Sequence, residues 1–194
     1  MILSKIQSIL EFNKEFVANK EYEAYVTDKF PQKKLAIVTC MDTRLIELLP
    51  KAMNLRNGDA KIIKNAGAIV SHPFGSVMRS ILVAIYELGA EEVIVVGHLG
   101  CGMASLNADR MINSMKERGI SDDVLNTLKH SGIKLENWLR GFDSEREGVI
   151  ETVGIIKNHP LLPATVPVHG MVIDSKTGEL ELVVDGTLEE KAAL

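Results

Sequence analysis

The stretch EEVIVVGHLGCGM (residues 91–103) joins a short run of β-branched residues to a glycine-containing loop that carries a histidine and a cysteine. An uninterrupted apolar run of this length is typical of a strand that is buried on both faces of a parallel sheet. Two further runs of this kind, KLAIVTC (34–40) and AKIIKN (60–65), precede it in the chain. We therefore predict three strands of one parallel sheet.

Segments with helical spacing of apolar residues separate these strands. TRLIELLPKAMNL (43–55) follows the first strand, and FGSVMRSILVAIYELGA (74–90) follows the second and is stopped near Gly89. The alternation of strand and helix implies right-handed crossovers and helices on both faces of the sheet.

The second half of the chain is helical by pattern and then ends in two strands. The helical stretch (102–158) is punctuated by glycines, Ser121 can cap one helix, and Ser144 with Glu147 fits a capping box for the next. TVPVHGMVID (165–174) and GELELVVDG (178–186) read as a hairpin. We predict an α/β fold with a mostly parallel sheet of four strands in the order 2-1-3-4, plus an antiparallel edge strand, and helices on both faces.

Length and composition indicate one globular domain over residues 1–194. The N-terminal segment has charged residues between apolar residues at near-helical spacing, so we predict an amphipathic helical arm over residues 1–30 rather than a signal peptide. A net charge of −4 with scattered basic residues argues against nucleic acid as a partner. No segment has the roughly 20 apolar residues that a membrane span needs, and we expect a cytoplasmic protein.

The two cysteines of the chain, Cys40 and Cys101, are far apart in sequence. In a reducing compartment such cysteines are more often buried, metal-bound or catalytic than joined in a disulfide. Cys40 ends the first predicted strand and His98 ends the third. If these strands are neighbours, the three side chains converge at the point where the strand order reverses, and two thiolates with one imidazole are a known zinc ligand set.

The loop after residue 98 has other interpretations. A phosphate-binding loop usually offers a lysine and a serine or threonine after its last glycine, whereas Met103 and Ala104 follow Gly102 here. His98 and Cys101 could form a nucleophile pair, which leaves Cys40 unexplained. They could also be ordinary residues at a strand end, with the glycines serving only close packing.

The segment TCMDTRL (39–45) adds a carboxylate and a guanidinium to the first cysteine. If the segment stays extended, the side chains of Cys40, Asp42 and Arg44 point the same way. Arg44 can hold Asp42 through a two-pronged ion pair, which restrains the carboxylate from the metal or orients it as an acceptor. The alternative is that Asp42 is only a favourable charge at a helix N-terminus and that Arg44 is a solvated basic residue.

The sequence resembles the β-class carbonic anhydrases, and its compact size resembles the short branch of that family. The motifs that carry the resemblance are CMDTR (40–44), NAG (65–67) and GHLGCGM (97–103), and the likeness covers nearly the whole chain. The resemblance implies reversible hydration of carbon dioxide to bicarbonate and a proton by zinc-bound hydroxide. It also implies a homodimer or higher assembly, with the N-terminal helix embracing the partner.

The resemblance also implies roles for individual residues. It assigns the zinc ligands to Cys40, His98 and Cys101 and the active-site dyad to Asp42 and Arg44, with Asp42 as a fourth ligand in a closed, inactive state. It assigns substrate binding to Asn65, Ala66, Gly67 and the backbone N–H of Gly102.

Two departures from the family accompany these matches. Leu99 and Gly100 stand where close relatives often have threonine and aspartate, so a polar group near the loop is missing. The only tryptophan is Trp138, so the tryptophan through which some members bind regulatory bicarbonate is absent before Cys40.

Two alternative functions and one accessory role stay open. The same zinc chemistry could act on carbon disulfide or carbonyl sulfide, or the chain could be a non-catalytic bicarbonate binder. His72 is the candidate proton shuttle by position, and its alternative is a solvent-facing turn histidine before a proline.

Overall fold

The structure is a computed structural model that describes residues 4–187. The strands are β1 (Leu35–Cys40), β2 (Ala60–Asn65), β3 (Glu92–His98), β4 (Val168–Ile173) and β5 (Leu180–Val184). The helices are α1 (Lys5–Ala18), α2 (Leu45–Ala52), α3 (Ser76–Tyr86), α4 (Ala108–Glu117), α5 (Asp122–His130), α6 (Leu135–Trp138) and α7 (Glu145–Lys157). Short 3₁₀ turns cover Glu21–Tyr25, Ala66–Ala68 and Gly102–Ser105. Within the described part of the chain, no helix has the length and apolar character to cross a membrane.

The ends of the predicted domain lie outside this description. Residues 1–3 of the predicted arm and residues 188–194 are not among the described residues.

The five strands form one sheet in the order β2-β1-β3-β4-β5. β1 pairs in parallel with β2 and β3, and β3 pairs in parallel with β4, whereas β4 and β5 are antiparallel. The predicted strand order and the antiparallel edge strand are both confirmed.

Burial along the strands explains why the central ones read as continuous apolar runs. Residues 36–40 of β1 and 93–98 of β3 are all buried, because neighbours cover both their edges and both their faces. The edge strands β2 and β5 are only partly buried, and β2 carries Lys61 and Lys64 within its sequence. Charged residues on an edge strand discourage pairing with another sheet.

Two layers of side chains sandwich the sheet. One buried cluster joins β1, β3 and β4 to α3 and α7 through Met78, Ile81, Ala84, Val149, Val153 and Ile156. A second buried cluster joins Ile37, Ile94, Val96 and Ile173 of the sheet to Leu45 and Leu49 of α2. Helices therefore cover both faces of the sheet, as predicted.

The predicted helical half of the chain folds into α4 to α7. Gly119 and Gly132 end helices with φ of +95° and +84°, a conformation that glycine adopts without steric cost. The Ser121 side chain caps α5 as predicted. The Ser144 hydroxyl accepts a hydrogen bond from the Glu147 N–H at 3.1 Å, which is one half of the predicted capping box.

Helix α7 approaches the sheet closely because two facing residues lack side chains. A Cβ atom built at Gly97 of β3 would lie 2.7 Å from one methyl group of Val149. A Cβ atom at Gly170 of β4 would lie 2.7 Å from the other methyl group. Val149 thus fills the space that the two glycines leave, and this contact sets the height of the start of α7 above the end of β3.

We expect Gly97→Ala to lower the free energy of unfolding by about 1–3 kcal/mol, because the added methyl group overpacks the interface with Val149. Urea denaturation of purified protein measures the change. The Gly97→Ala/Val149→Ala double variant supplies the control. The overpacking explanation is wrong if the losses of the two single variants simply add, since a shared clash makes the double variant more stable than that sum.

Candidate metal centre

Three side chains, two from the ends of neighbouring strands and one from the loop after β3, meet at the carboxyl edge of the sheet. One ligand atom from each of Cys40, His98 and Cys101 lies within 4.8 Å of the others, and all three residues are buried. Cys40 is the last residue of β1, His98 is the last residue of β3, and Cys101 follows in the loop after β3. The structure therefore brings together the three residues that the sequence singled out as metal ligands.

The position of this cluster follows from the topology. The chain leaves β1 for β2 on one side and returns to β3 on the other, so the strand order reverses between β1 and β3. Connections that leave in opposite directions open a crevice at the carboxyl ends of such strands.

The geometry of the cluster fits zinc. The sulfur atoms of Cys40 and Cys101 are 3.9 Å apart, and two sulfurs bonded to one tetrahedral zinc at about 2.3 Å lie roughly 3.8 Å apart. The buried Nε2 atom of His98 has no hydrogen-bond partner among residues 4–187. A ligand atom that lacks a protein partner is what a bound cation would satisfy.

The second ring nitrogen of His98 is already engaged. His98 Nδ1 lies 3.1 Å from the carbonyl oxygen of Leu99, to which it donates. The same oxygen accepts a hydrogen bond from the Ser175 hydroxyl at 3.2 Å. Binding of Nδ1–H to a carbonyl fixes the ring orientation and leaves Nε2 as the ligand atom, as in most metal-binding histidines.

The two thiols are electrostatically unequal. The adjacent Cys101 thiol, together with contacts from His98 and the Gly67 N–H, lowers the pKa of Cys40 to about 4 against the opposing effect of burial. The neighbouring Cys40 sulfur, together with burial, raises the pKa of Cys101. The Cys40 thiolate also raises the pKa of His98. A cation at this site would take the place of the protons that the cluster otherwise holds.

The NAG segment supports the first thiolate. The Gly67 N–H donates to the Cys40 sulfur at 3.4 Å. Gly67 has φ of +79°, and a Cβ atom there would lie 2.9 Å from Cγ of Met103. Glycine is therefore required both for the backbone conformation and for the close approach to Met103, which lies just after the metal loop (residues 99–101).

Asp42 and Arg44 form a two-pronged ion pair beside the cluster. Nε and Nη2 of Arg44 donate to the two carboxylate oxygens of Asp42 at 2.9 Å and 2.8 Å. The segment is not extended, however: the backbone N–H of Arg44 also donates to Asp42 Oδ1 at 2.9 Å, and Arg44 has helical dihedrals. A turn closed by the aspartate side chain, rather than strand alternation, brings the pair together.

The Asp42 carboxylate faces the candidate ligands. Its Oδ2 atom lies 3.7 Å from Nε2 of His98. The hydrogen bonds from Arg44 hold the pKa of the Asp42 carboxyl well below its usual range. The carboxylate is therefore ionised at neutral pH and held by the guanidinium at the edge of the site.

A residue that the sequence did not single out also reaches the metal loop. Glu145 Oε1 accepts hydrogen bonds from the N–H groups of Gly100 and Cys101, at 3.0 Å and 3.3 Å. The sequence predicts a helix start at Ser144, but it carries no local signal that the side chain of the next residue reaches this loop.

The other predicted site residues lie around the cluster. The Asn65 side-chain amide donates to the Ile69 carbonyl at 2.5 Å across the 3₁₀ turn that begins at Ala66, and its Oδ1 atom is buried without a partner in residues 4–187. Gly102 opens the turn after Cys101 and is exposed.

Three other histidines, His72, His130 and His159, are not members of the cluster of candidate ligands. His72 is exposed, and its Nδ1 atom accepts a hydrogen bond from the Phe74 N–H at 3.0 Å. His130 lies near the Asn126 carbonyl at the end of α5. His159 is buried with its ring 5.1 Å from the ring of Phe74.

Comparisons with known proteins agree with one another. A family profile described as "Carbonic anhydrase" matches residues 35–180. The chain is 64% identical over 181 residues to "Putative carbonic anhydrase YvdA" of Bacillus subtilis, covering 93% of this chain and 92% of that protein. It is 30% identical to a "Carbon disulfide hydrolase" of Acidithiobacillus thiooxidans over 76% of each chain.

A solved structure supports the same relationship. The fold superimposes with a TM-score of 0.86 on the β-carbonic anhydrase isoform I of Trichomonas vaginalis, at 31% identity, covering 95% of this chain and all of that one.

Proposed function

Since the chain belongs to the β-class carbonic anhydrase family, we propose that it catalyses the reversible hydration of carbon dioxide to bicarbonate and a proton with the help of zinc. The observation that carries the proposal is a buried cluster of two thiols and one imidazole that lies beside the ion-paired carboxylate of Asp42. All five of these residues match the motifs of the family.

Cys40, His98 and Cys101 would hold the zinc ion through Sγ, Nε2 and Sγ. The bound ion supplies a Lewis acid that lowers the pKa of water and so provides the nucleophile for carbon dioxide. The protein supplies the orientation: the Leu99 carbonyl fixes the His98 ring, and the Gly67 N–H stabilises the Cys40 thiolate.

Asp42 and Arg44 act on the attacking water. With its two oxygens held by Arg44, the Asp42 carboxylate keeps lone pairs available on the side that faces His98. It accepts a hydrogen bond there and thereby orients the water. We further propose that Asp42 becomes the fourth metal ligand in a closed state when Arg44 releases it.

The substrate contacts follow the family pattern. We propose that the backbone N–H of Gly102, an exposed residue next to Cys101, donates to the bicarbonate product. We propose that Asn65, Ala66 and Gly67 line the substrate pocket. The exposed imidazole of His72 is the candidate proton carrier to solvent, because histidine is the side-chain type that most readily takes up and releases protons near neutral pH.

The test is stopped-flow measurement of carbon dioxide hydration together with the zinc content of the purified protein. We expect about one zinc per chain and an initial rate that rises between about pH 6.5 and about pH 9. Two thiolate ligands offset the charge of a divalent ion, so activation of water needs a higher pH than with three neutral imidazoles. A flat rate profile would overturn the pH prediction, and absence of zinc would overturn the function itself.

Carbon disulfide is the second candidate substrate, because relatives at 30% identity bear the name carbon disulfide hydrolase. Release of sulfide from carbon disulfide by the same zinc-loaded protein distinguishes the two reactions. Sulfide release without hydration would favour this alternative. Bound zinc with neither activity would favour a non-catalytic bicarbonate binder.

We also propose that the chain is one domain over residues 1–194 that acts as a homodimer or larger assembly, with the arm over residues 1–30 packed on the partner. Helix α1 supports this, since none of its side chains is buried although several large apolar ones are present: Ile6, Ile9, Leu10, Phe12 and Val17. An amphipathic helix without a covered face is typical of an interface. A cytoplasmic location stays a prediction.

We expect Ile9→Glu/Phe12→Glu to shift the protein from dimer or larger assembly to monomer, because two carboxylates on the apolar face oppose its burial. Sedimentation velocity measures the mass in solution. Lys5→Glu/Lys14→Glu places two carboxylates at charged positions of the same helix and should leave the assembly intact. A monomeric wild-type protein would contradict the proposal.

A further inference from the structure

The backbone of Gly100 is held at both ends by charged side chains. Its N–H donates to Glu145 Oε1 at 3.0 Å, and its carbonyl accepts from Nη2 of Arg44 at 3.0 Å. Gly100 has φ of +66°, and a Cβ atom there would meet open space. The glycine is therefore needed for the left-handed backbone that aims the N–H at Glu145, not for room.

The same two side chains reach the two functional parts of the centre. Glu145 Oε1 also accepts from the N–H of Cys101 at 3.3 Å, so it touches the backbone of a candidate ligand. The Nη2 atom of Arg44 that binds the Gly100 carbonyl also binds Asp42 Oδ2 at 2.8 Å. A continuous set of hydrogen bonds thus runs from Glu145 through the metal loop and Arg44 to Asp42.

The position of Glu145 suits this role. It is the first residue of α7, where the free N–H groups of the helix favour a negative charge. The contact of Val149 with Gly97 holds this end of the helix over the end of β3. One carboxylate oxygen that accepts two N–H groups makes charge-assisted bonds, which are stronger than those between neutral groups.

We propose that Glu145 is a positioning residue of the metal centre: it holds the loop so that the Cys101 sulfur faces the other ligands and the Gly100 carbonyl keeps Arg44 on Asp42. The proposal rests on the proposed zinc function, since it concerns the ligands of that metal. It adds a residue outside the three sequence motifs. Without Glu145 the loop loses the acceptor of two N–H groups. The positions of the Cys101 sulfur and of the Arg44–Asp42 ion pair are then less restrained.

Three variants test the proposal. Glu145→Ala removes the acceptor, and Glu145→Gln retains an oxygen in the same place without the charge. Glu147→Ala is the matched control, because it removes a carboxylate from the same first turn of α7 and its side chain is not among the hydrogen-bond partners of loop 99–101. The first readout is zinc affinity by competition with a chromogenic chelator. The second is the sulfur-to-metal absorption band of the cobalt-substituted protein.

We expect Glu145→Ala to weaken zinc binding by about 10- to 100-fold and to shift the cobalt band. Glu145→Gln should recover most of the affinity, and Glu147→Ala should lie within about twofold of the wild type. Thermal unfolding of the metal-free variants by circular dichroism separates loss of the fold from loss of the metal.

Two results would overturn the role of Glu145. One is equal zinc affinity in Glu145→Ala and Glu147→Ala, and the other is a Glu145→Gln variant as weak as Glu145→Ala. A wild-type protein that binds no zinc would instead overturn the proposed function, so the two failures are distinct.

Discussion

Replacement of Cys101 with serine is expected to remove zinc from the purified protein and to lower kcat/KM for carbon dioxide hydration by about 10³-fold or more. A serine hydroxyl stays protonated at neutral pH and supplies no thiolate charge to the ion. It also leaves Cys40 without the sulfur that lies 3.9 Å away.

Metal analysis by mass spectrometry and stopped-flow hydration measure the two effects on one preparation. Met103→Leu is the control, because it changes a neighbouring side chain of similar volume that offers no zinc ligand in the described cluster. Retention of about one zinc per chain with near wild-type rates in Cys101→Ser would show that the cluster does not hold the metal.

Arg44→Ala is expected to lower kcat/KM by about 10²- to 10³-fold while zinc stays bound. Within residues 4–187, the substitution removes three hydrogen bonds of the guanidinium, two to the Asp42 carboxylate and one to the Gly100 carbonyl. Asp42 stays ionised at neutral pH even without the arginine, because the ordinary pKa of an aspartate is about 3.9. A carboxylate that lies 3.7 Å from His98 Nε2 and is no longer held by the guanidinium would be free to become a ligand of the proposed zinc ion in place of water.

Arg44→Lys should fall between the wild type and Arg44→Ala, since a lysine cannot make the two-pronged pair. Lys51→Ala removes another cation nearby in the chain, one that pairs with Glu47 at 3.2 Å, and it should leave the rate unchanged. Hydration rates of Arg44→Ala equal to those of Lys51→Ala would contradict the role of the dyad.

The parts of this protein that sequence analysis predicted correctly are those with local signals. Buried strands such as β1 and β3 are continuous apolar runs, and a candidate metal ligand is the last residue of each strand. Binding sites in such sheets lie at the carboxyl edge where the strand order reverses, and this rule predicts that Cys40 and His98 lie close together.

Other features depend on contacts that no local pattern encodes. The condition that residues 40–44 stay extended is not met, because the Asp42 side chain closes a turn that spacing alone does not reveal. Glu145 is 44 residues from Cys101 in the chain, and only the packing of α7 on the sheet brings the two together. A charged residue in the first turn of a helix is too common to indicate such a contact.

Helix α1 is a feature that the sequence predicts only in part. Its amphipathic character was evident from the sequence, yet its apolar face has no cover within residues 4–187. A sequence reveals that such a face exists, but it does not reveal which surface covers it.

Leu99 has a backbone and a side chain with separate tasks. Its carbonyl accepts hydrogen bonds from His98 and Ser175, whereas its side chain is 47% exposed. A change of residue type at this position leaves the carbonyl and both of its hydrogen bonds in place. Residue 99 is therefore a suitable attachment point for a spin label or a fluorophore, which would report on the candidate metal centre from the residue next to His98.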